Sequence, residues 1–252
     1  SVTPSSMFKR FLFSVAISFA LAISLDAHAS LNCRAAIAEL TGKWIFDSFA
    51  DYQAMQTRAD LLALEKHRGQ IYDTKKNRSY DYHLDSVVRI LRESGLDPQS
   101  TTTEFAHFSR IALIVARLHD VVEDTPVTIT EIKARFGVEV AEAVYAVTKA
   151  SKPDNYERLT DAEKSQVKRA LAQATLEKLM RGSNVGRMVK LADRIANVEY
   201  GRDEEPSGIN PKYFTEQPEF RVLQQIWHSS RDSFSHLVYL ELWLRLNSAL
   251  SN

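Results

Sequence analysis

The chain has 252 residues, of which 44% are hydrophobic and 25% charged, and its 32 Lys and Arg are matched by 32 Asp and Glu. Because the net charge is zero, the composition excludes the strongly basic surface typical of proteins that bind nucleic acid or anionic membranes, and no nucleic-acid partner is expected. Only eight glycines interrupt long stretches rich in Ala, Leu, Glu and Arg, which favours helices.

The first part of the chain has the composition of a secretory signal peptide. Residues 7–10 form a short basic start, and an apolar stretch of about 15 residues follows, shorter than the roughly 20 that a membrane-spanning helix needs. Ala27 and Ala29 provide a small-x-small cleavage site. We predict an N-terminal extension and signal peptide over residues 1–29. Residues 30–252 are then expected to be periplasmic or secreted, with no membrane contact after cleavage, and an uncleaved membrane tether is the alternative.

Cys33 is the only cysteine, so an intrachain disulfide is impossible. A chain of this length can bury a core large enough to be stable without one. The residues before Cys33 fit a lipoprotein signal poorly, so export without a lipid anchor is the preferred interpretation.

Nearly every later segment has the period of an amphipathic helix. We predict two helices between Cys33 and Gly69, a polar loop over DTKKNRS, and a helix from YDYH to Gly95. A capping box, Thr101-x-x-Glu104, is expected to start the next helix, whose apolar stripe continues into the charged segment RLHDVVEDT.

The second half of the chain continues this pattern. Capping boxes at Thr128-x-x-Glu131 and Thr160-x-x-Glu163 predict the starts of a short helix and of a long helix that ends at Gly182. VEVAEAVYAVTKA and NVGRMVKLADRIANVEYG are further predicted helices, and RDEEPSGINP is a loop before two more. No segment has a convincing alternating strand pattern, and no repeat or linker divides the chain. The prediction is one all-α domain, a helical bundle.

The segment RLHDVVEDT places a histidine and three carboxylates directly after an apolar run. On a helix, His119 and Glu123 would share a side, as would Asp120 and Asp124, because residues four apart are neighbours. Burying such carboxylates without a partner would be strongly unfavourable, and a divalent cation would remove that cost. A His-Asp pair alone also fits a solvated surface helix, so further ligands are needed.

Two other helices offer such ligands. His83 lies in the first turn of its helix, and Asp193 and Asn197 lie one turn apart on a mostly apolar side of another. Each has a simpler explanation, with His83 as a polar residue at a helix start and Asp193 as the ion-pair partner of Lys190 or Arg194. Together with the histidine-aspartate pair, they favour a metal site assembled from three helices.

Three motifs, in this order along the chain, carry a specific resemblance to a known family. YDYH, LHDVVEDTPVTITEIKARFGVEVAEAVYAVTK and MVKLADRIANVE resemble the HD-type hydrolase domain of the alarmone-degrading family, which comprises the RelA/SpoT-like enzymes and their small single-domain relatives. The resemblance covers roughly residues 63–199 and implies an all-α HD-domain fold.

The resemblance also implies a set of site residues. A single divalent ion, usually manganese, would be held by His83, His119, Asp120 and Asp193. The acidic pair that orients and activates the attacking water would be Glu123 and Asp124, and Asn197 would lie beside the nucleotide. The two imidazoles and two carboxylates suit manganese, iron or zinc better than calcium.

The implied reaction is hydrolysis of the 3′-pyrophosphate of a guanosine alarmone, which gives pyrophosphate and GDP or GTP. The expected partner is therefore a small-molecule nucleotide. One alternative is a phosphohydrolase of the same fold that acts outside the cytosol on another nucleotide, such as an adenosine alarmone or the 2′-phosphate of NADPH. Another is a non-catalytic binding protein, and the apolar C-terminal helix leaves a homo-oligomer open.

The chain departs from the family before the YDYH motif. Tyr72 stands where the family has an arginine that contacts the guanine base. Lys75, Lys76 and Arg78 are the candidates to replace it as phosphate or base contacts, and a solvated loop is the alternative. His67 is expected to pack in the pocket wall instead of binding metal.

Overall fold

Helices account for most of the regular structure in the computed structural model, which describes residues 48–227 and 233–251. The elements are α1 Phe49–Lys66, β1 Ile71–Asp73, β2 Arg78–Ser79, α2 Asp81–Glu93, α3 Thr103–Leu118, α4 Val121–Asp124, α5 Ile129–Phe136, α6 Val138–Val147, a 3-10 turn Tyr156–Arg158, α7 Asp161–Arg181, α8 Asn184–Glu204, α9 Lys212–Thr215, α10 Gln217–Phe220, α11 Val222–Gln225 and α12 Ser233–Ser251. The predicted signal peptide, Cys33 and the first predicted helix lie outside the described residues. Within these limits, the prediction of a mostly helical protein is confirmed.

Helices α3 and α8 form the centre of the bundle. Helix α8 packs against α2, α3, α6 and α12, and α3 also packs against α1, α2 and α6. Residues 111–118 of α3 are all buried, as is nearly every residue of α8 from Val185 to Val198. A helix that is buried on all sides needs apolar residues around its whole circumference, and polar side chains within it must have partners. No helix in the described part of the chain is both long and apolar enough to span a bilayer.

The helix starts predicted from capping signals are confirmed at two positions and wrong at a third. Thr160 and Glu163 form a complete capping box, and the Thr128 hydroxyl accepts the Glu131 N–H. The box predicted at Thr101 is wrong, because α3 begins after Thr102 and has no side-chain cap. Helix α1 ends at Lys66, three residues before the glycine expected to stop it.

Gly182 ends α7, as predicted, for a reason that lies in the packing. A Cβ atom at this position would come within 2.7 Å of the Ala146 Cβ on α6. The glycine therefore allows the corner between α7 and α8 to pack closely against α6.

The segment predicted as the loop DTKKNRS is a short antiparallel hairpin of β1 and β2. Asn77 occupies the turn with φ of 51°, a left-handed conformation that asparagine tolerates better than most residues. The Asp73 carboxylate accepts the backbone N–H groups of Lys75 and Lys76 at 2.8 and 3.2 Å. The all-α fold class is unaffected by this hairpin, whose strands of three and two residues are too short to show an alternating pattern.

Arg117 ties three elements together on the last turn of α3. Its Nε lies 2.6 Å from Asp60 on α1, and its two terminal nitrogens lie 2.6 and 3.3 Å from Asp85 and Asp81 on α2. The arginine side chain is 11% exposed. We expect Arg117→Met to lower the free energy of unfolding by about 2–3 kcal/mol, because three neighbouring carboxylates lose their shared cation. Urea unfolding of both proteins measures the difference.

The matched control is Arg89→Met, which removes an exposed arginine that pairs with Glu93 along the same helix. Exposed pairs of this kind contribute about 0.5 kcal/mol or less. If both substitutions lower the free energy of unfolding by the same amount, solvent screens the Arg117 cluster, and the cluster does not hold α1 and α2 against α3.

Candidate metal centre and active site

Four side chains from three parts of the chain meet at one buried point. His83 Nε2, in the first turn of α2, lies 3.3 Å from His119 Nε2 and 3.2 Å from Asp193 Oδ1. Asp120 Oδ2 lies 3.1 Å from His119 Nε2 and 3.6 Å from His83 Nε2. Donor atoms that share an ion at about 2.0–2.2 Å are themselves about 3–4 Å apart. The spacing therefore matches a coordination sphere.

The histidine and aspartate of the pair reach this point because α3 ends directly before them. The prediction of one continuous helix through RLHDVVEDT is wrong, since α3 ends at Leu118 and Asp120 is the N-cap of α4. The Asp120 carbonyl accepts the N–H groups of Glu123 and Asp124 at 3.1 and 2.9 Å. This turn directs His119 and Asp120 into one site and places the acidic pair beside it.

The hydrogen bonds of His119 leave one ring nitrogen available to an ion. Its Nδ1 donates to the Ala116 carbonyl at 2.8 Å, so Nε2 faces the site. Burial alone would lower the pKa of His119, but the carboxylates of Asp120 and Asp193 outweigh burial and raise it to about 10. Burial would likewise raise the pKa of Asp120, yet the charges of His119 and His83 hold it below its usual value.

These residues fit a divalent metal ion. Two imidazole nitrogens and two carboxylate oxygens face one another in the interior, and such a group of electron-rich atoms is stable only around positive charge. The carboxylates of Asp120 and Asp193 raise the pKa of His119, which is the direction expected of a site that favours positive charge. His83, His119 and Asp120 each offer a ligand atom within 4.8 Å of the others. Asp193 adds its Oδ1 through the contact with His83.

Asp193 is held in place by two residues of its own helix. Its Oδ2 accepts from Lys190 Nζ at 2.8 Å, and its Oδ1 accepts from Asn197 Nδ2 at 2.7 Å. Burial would raise the pKa of Asp193, but Lys190 and the two histidines hold it far below its usual value. The ion pair with Lys190, which the sequence offered as a simpler explanation, therefore exists together with the site. Asn197 orients the carboxylate and also lines the adjoining cavity.

The acidic pair lies at the edge of a cavity of about 280 Å³ that reaches the metal centre. Glu123 Oε2 accepts the backbone N–H of Lys149 at 3.1 Å, and its Oε1 contacts the Lys149 ammonium. Burial, followed by the charge of Asp120, raises the pKa of Asp124. Glu123 and Asp124 thus lie beside Asp120 at the edge of this cavity.

Comparison with known proteins agrees with this geometry. A family model described as the HD domain matches residues 59–216, a range that contains all four converging side chains. The chain belongs to the HD-domain family. The resemblance inferred from the motifs is confirmed by relatives that carry alarmone-hydrolase names.

Several curated relatives are similar to this chain over somewhat more than half of its length. It is 33% identical over 137 residues to a zebrafish protein named guanosine-3′,5′-bis(diphosphate) 3′-pyrophosphohydrolase MESH1, covering 54% of this chain and 63% of the relative. It is 35% identical over 144 residues to an Aquifex aeolicus protein named guanosine-3′,5′-bis(diphosphate) 3′-pyrophosphohydrolase, covering 56% and 17%. The chain therefore spans less than two thirds of each of these relatives.

A solved structure shows the same fold. It is that of a metazoan ortholog of SpoT that hydrolyses ppGpp, and it superposes with a TM-score of 0.51 at 22% identity. The superposition covers 79% of this chain and 94% of the other.

Tyr80 is a site residue of the HD domain that the sequence reasoning missed. Its hydroxyl lies 2.6 Å from Asp120 Oδ2 and 2.9 Å from Asp124 Oδ2, and its ring stacks on His67 at 4.5 Å between centroids. His67 Nδ1 lies 2.7 Å from Gln70 Oε1, and the Gln70 amide donates to the Asp124 carbonyl. His67 therefore packs beside the site, as expected. The only sequence signal for Tyr80 was its place three residues before the histidine of YDYH.

We expect Tyr80→Phe to weaken divalent-metal binding about 10–100-fold, because outer hydrogen bonds to a ligand orient it and tune its basicity. The ring and its stack on His67 remain, so the melting temperature should change little. Titration with manganese measures the loss. Tyr82→Phe is the control, since the Tyr82 hydroxyl has no hydrogen bond within the described residues. Equal affinities in the two variants would contradict the role of Tyr80.

Tyr72 forms the wall of the HD-domain site towards the hairpin. Its ring stacks on His83 at 5.1 Å and its hydroxyl donates to Asn197 Oδ1 at 3.2 Å. Burial and neighbouring tyrosines raise its pKa, so the hydroxyl stays protonated as a donor. This side chain thus occupies the space beside two site residues and is oriented by both of them.

The three hairpin cations proposed as substrate contacts do not line the cavity beside the metal centre. Lys75 lies 3.3 Å from a Glu205 carboxylate oxygen, and Lys76 and Arg78 lie 2.6 and 3.1 Å from Glu204. The hairpin is therefore tied by ion pairs to the C-terminal end of α8.

Proposed function

We propose that this HD domain is a metal-dependent hydrolase that removes the 3′-pyrophosphate of guanosine alarmones, giving pyrophosphate and GDP or GTP. One observation carries the proposal. His83, His119, Asp120 and Asp193 converge at a buried point with the acidic pair Glu123 and Asp124 beside them. Zebrafish and bacterial relatives named for this activity support the substrate class.

We propose manganese as the ion, held by His83, His119, Asp120 and Asp193. Mixed imidazole and carboxylate ligands suit manganese, iron and zinc, whereas calcium prefers oxygen ligands alone. A bound divalent ion would stabilise the negative charge of the phosphate and would lower the pKa of a nearby water molecule.

The chain's own residues then divide the remaining work. Glu123 takes a proton from the water whose oxygen bonds to the phosphorus next to the 3′-oxygen. The 3′ O–P bond breaks, pyrophosphate is released, and the 3′-oxygen takes up a proton to become the hydroxyl of GDP or GTP. Asp124, oriented by Tyr80, positions that water. Lys149 pairs with Glu123 before substrate binds, and a substrate phosphate would compete for its ammonium and free the carboxylate as a base. Lys190 balances the charge of Asp193 throughout.

A second candidate is hydrolysis of another nucleotide, such as an adenosine alarmone or the 2′-phosphate of NADPH. The observation in its favour is Tyr72, which stands where the resembled family has its guanine-contacting arginine and which packs on His83 and Asn197. A neutral phenol cannot replace a guanidinium as a two-point donor to a base.

A substrate panel decides between the two. The manganese-loaded protein is incubated with ppGpp, pppGpp, an adenosine alarmone and NADPH, and released phosphate and pyrophosphate are measured separately. We expect pyrophosphate from the guanosine alarmones. Activity restricted to the adenosine alarmone or NADPH would support the second candidate, and no turnover with a stable metal content would support a binding protein.

We also propose that the protein acts outside the cytosol, on the basis of the signal-like residues 1–29. Fractionation of the producing cells, together with the mass of the mature protein, tests this. A full-length protein recovered from the cytosol would contradict it.

A further inference from the structure

The metal-site cavity opens into a larger cleft beneath α7. This α7 cleft has a volume of about 710 Å³ and shares Glu123, Asp124, Lys149 and Lys190 with the smaller cavity. Ligand sites for molecules of nucleotide size typically measure about 300–1,000 Å³, so the 280 Å³ cavity is too small alone. The α7 cleft is large enough to hold the part of a nucleotide that the smaller cavity cannot.

The opposite direction, towards the hairpin, is narrow. Tyr72 lines both the metal-site cavity and a separate cavity of about 170 Å³ beside Tyr200, so its ring forms part of the wall between them. Hydrogen bonding to Asn197 and stacking on His83 hold that ring in place. A substrate whose phosphate reaches the metal centre therefore has more room on the α7 side.

The chemistry of the α7 cleft matches a nucleoside that carries a second charged group. Leu171, Leu176 and Phe220 provide apolar surface for a base and ribose. Lys152 and Lys168 are exposed, line the cleft, and have no carboxylate partner among residues 48–227 and 233–251. Unpaired ammonium groups beside an apolar wall bind phosphate without first breaking an ion pair.

We propose that the α7 cleft binds the nucleoside and the 5′-phosphates of the substrate, with Lys152 and Lys168 as the 5′-phosphate contacts. This inference rests on the proposed function, since it takes the scissile 3′-phosphate to lie at the metal centre. It assigns substrate selection to α7 instead of the hairpin cations Lys75, Lys76 and Arg78.

Two pairs of variants of the full-length protein test the proposal. Lys168→Glu reverses a charge in the cleft, and Arg169→Glu reverses the neighbouring charge on α7, outside the cleft lining. Ala172→Trp fills the cleft, and Ala170→Trp adds the same bulk outside it. All four positions are exposed, so the fold should tolerate each change. Melting temperature and manganese content of the four variants are measured to check this.

The first readout is the Kd of GDP, which carries the nucleoside and the 5′-phosphates but no scissile group. We expect it to rise about tenfold in each cleft variant and to stay within about twofold in each control. The KM for ppGpp should rise in parallel. If GDP binds wild type and all four variants alike, or does not bind wild type, the cleft proposal is wrong. If GDP binding shows the expected pattern but ppGpp releases no pyrophosphate, the proposed function fails and the cleft remains a nucleotide site.

Discussion

Asp120→Asn should yield a folded protein that binds almost no divalent metal and has almost no hydrolase activity. The substitution removes the charge from a carboxylate whose Oδ2 lies 3.1 Å from His119 and 3.6 Å from His83. Loss of an outer hydrogen bond to a metal ligand already costs about 10–100-fold in affinity, and loss of a ligand should cost more. The amide keeps the size of the side chain and can still accept from Tyr80, so the packing should survive.

Metal content by elemental analysis, pyrophosphate release and circular dichroism measure this result together. Asp154→Asn is the matched control, because Asp154 is exposed and lines neither the metal-site cavity nor the larger cleft beneath α7. The control should bind manganese and turn over substrate as wild type does. An Asp120→Asn protein that retains one equivalent of tightly bound metal would falsify the proposed ligand set.

Glu123→Gln should have the opposite combination, with metal binding retained and turnover lost. Removing a general base typically lowers kcat by about 10²–10⁴-fold. The glutamine cannot take a proton from water, so turnover should be lost. Glu123 is not among the four side chains that converge at the metal centre, so the ion should still bind. The KM for ppGpp should change little or fall, because Lys149 loses its carboxylate partner and becomes available to a phosphate.

Steady-state kinetics and manganese titration separate the two effects. Glu142→Gln, an exposed change of the same type on α6, should leave both parameters unaltered. If Glu123→Gln lost metal and activity in proportion, Glu123 would hold the ion instead of activating water. If kcat were unchanged, the base would have to be sought elsewhere, with Asp124 the next residue to test.

The site shows where sequence reasoning succeeded and where it did not. His83, Asp193 and the His119-Asp120 pair were chosen from helical spacing and family motifs, and they converge as predicted. The break of the helix at residue 119 was missed, because the apolar period continues through it and no glycine or proline marks it. A backbone turn that depends on packing by other elements leaves no local signal.

Tyr80 and the hairpin were missed for a related reason. The Tyr80 hydroxyl contacts residues 40 and 44 positions away along the chain, and the paired strands comprise only three and two residues. The hairpin cations were predicted as substitutes for the family's arginine, and in the structure they pair with Glu204 and Glu205 at the C-terminal end of α8, more than 120 residues later. Contacts between such distant positions cannot be derived from spacing.

The sequence by itself determined the helical class, several helix starts and stops, and which four side chains would converge as a candidate metal site. These follow from local rules, since hydrophobic period, caps and motif order act within a few turns of one segment. Only the tertiary structure decided that Tyr72 forms the wall towards the hairpin, that Tyr80 bridges Asp120 and Asp124, and that the large cleft lies beneath α7. These features depend on how distant helices pack, because the shape of a cavity belongs to the assembled bundle and not to any one segment.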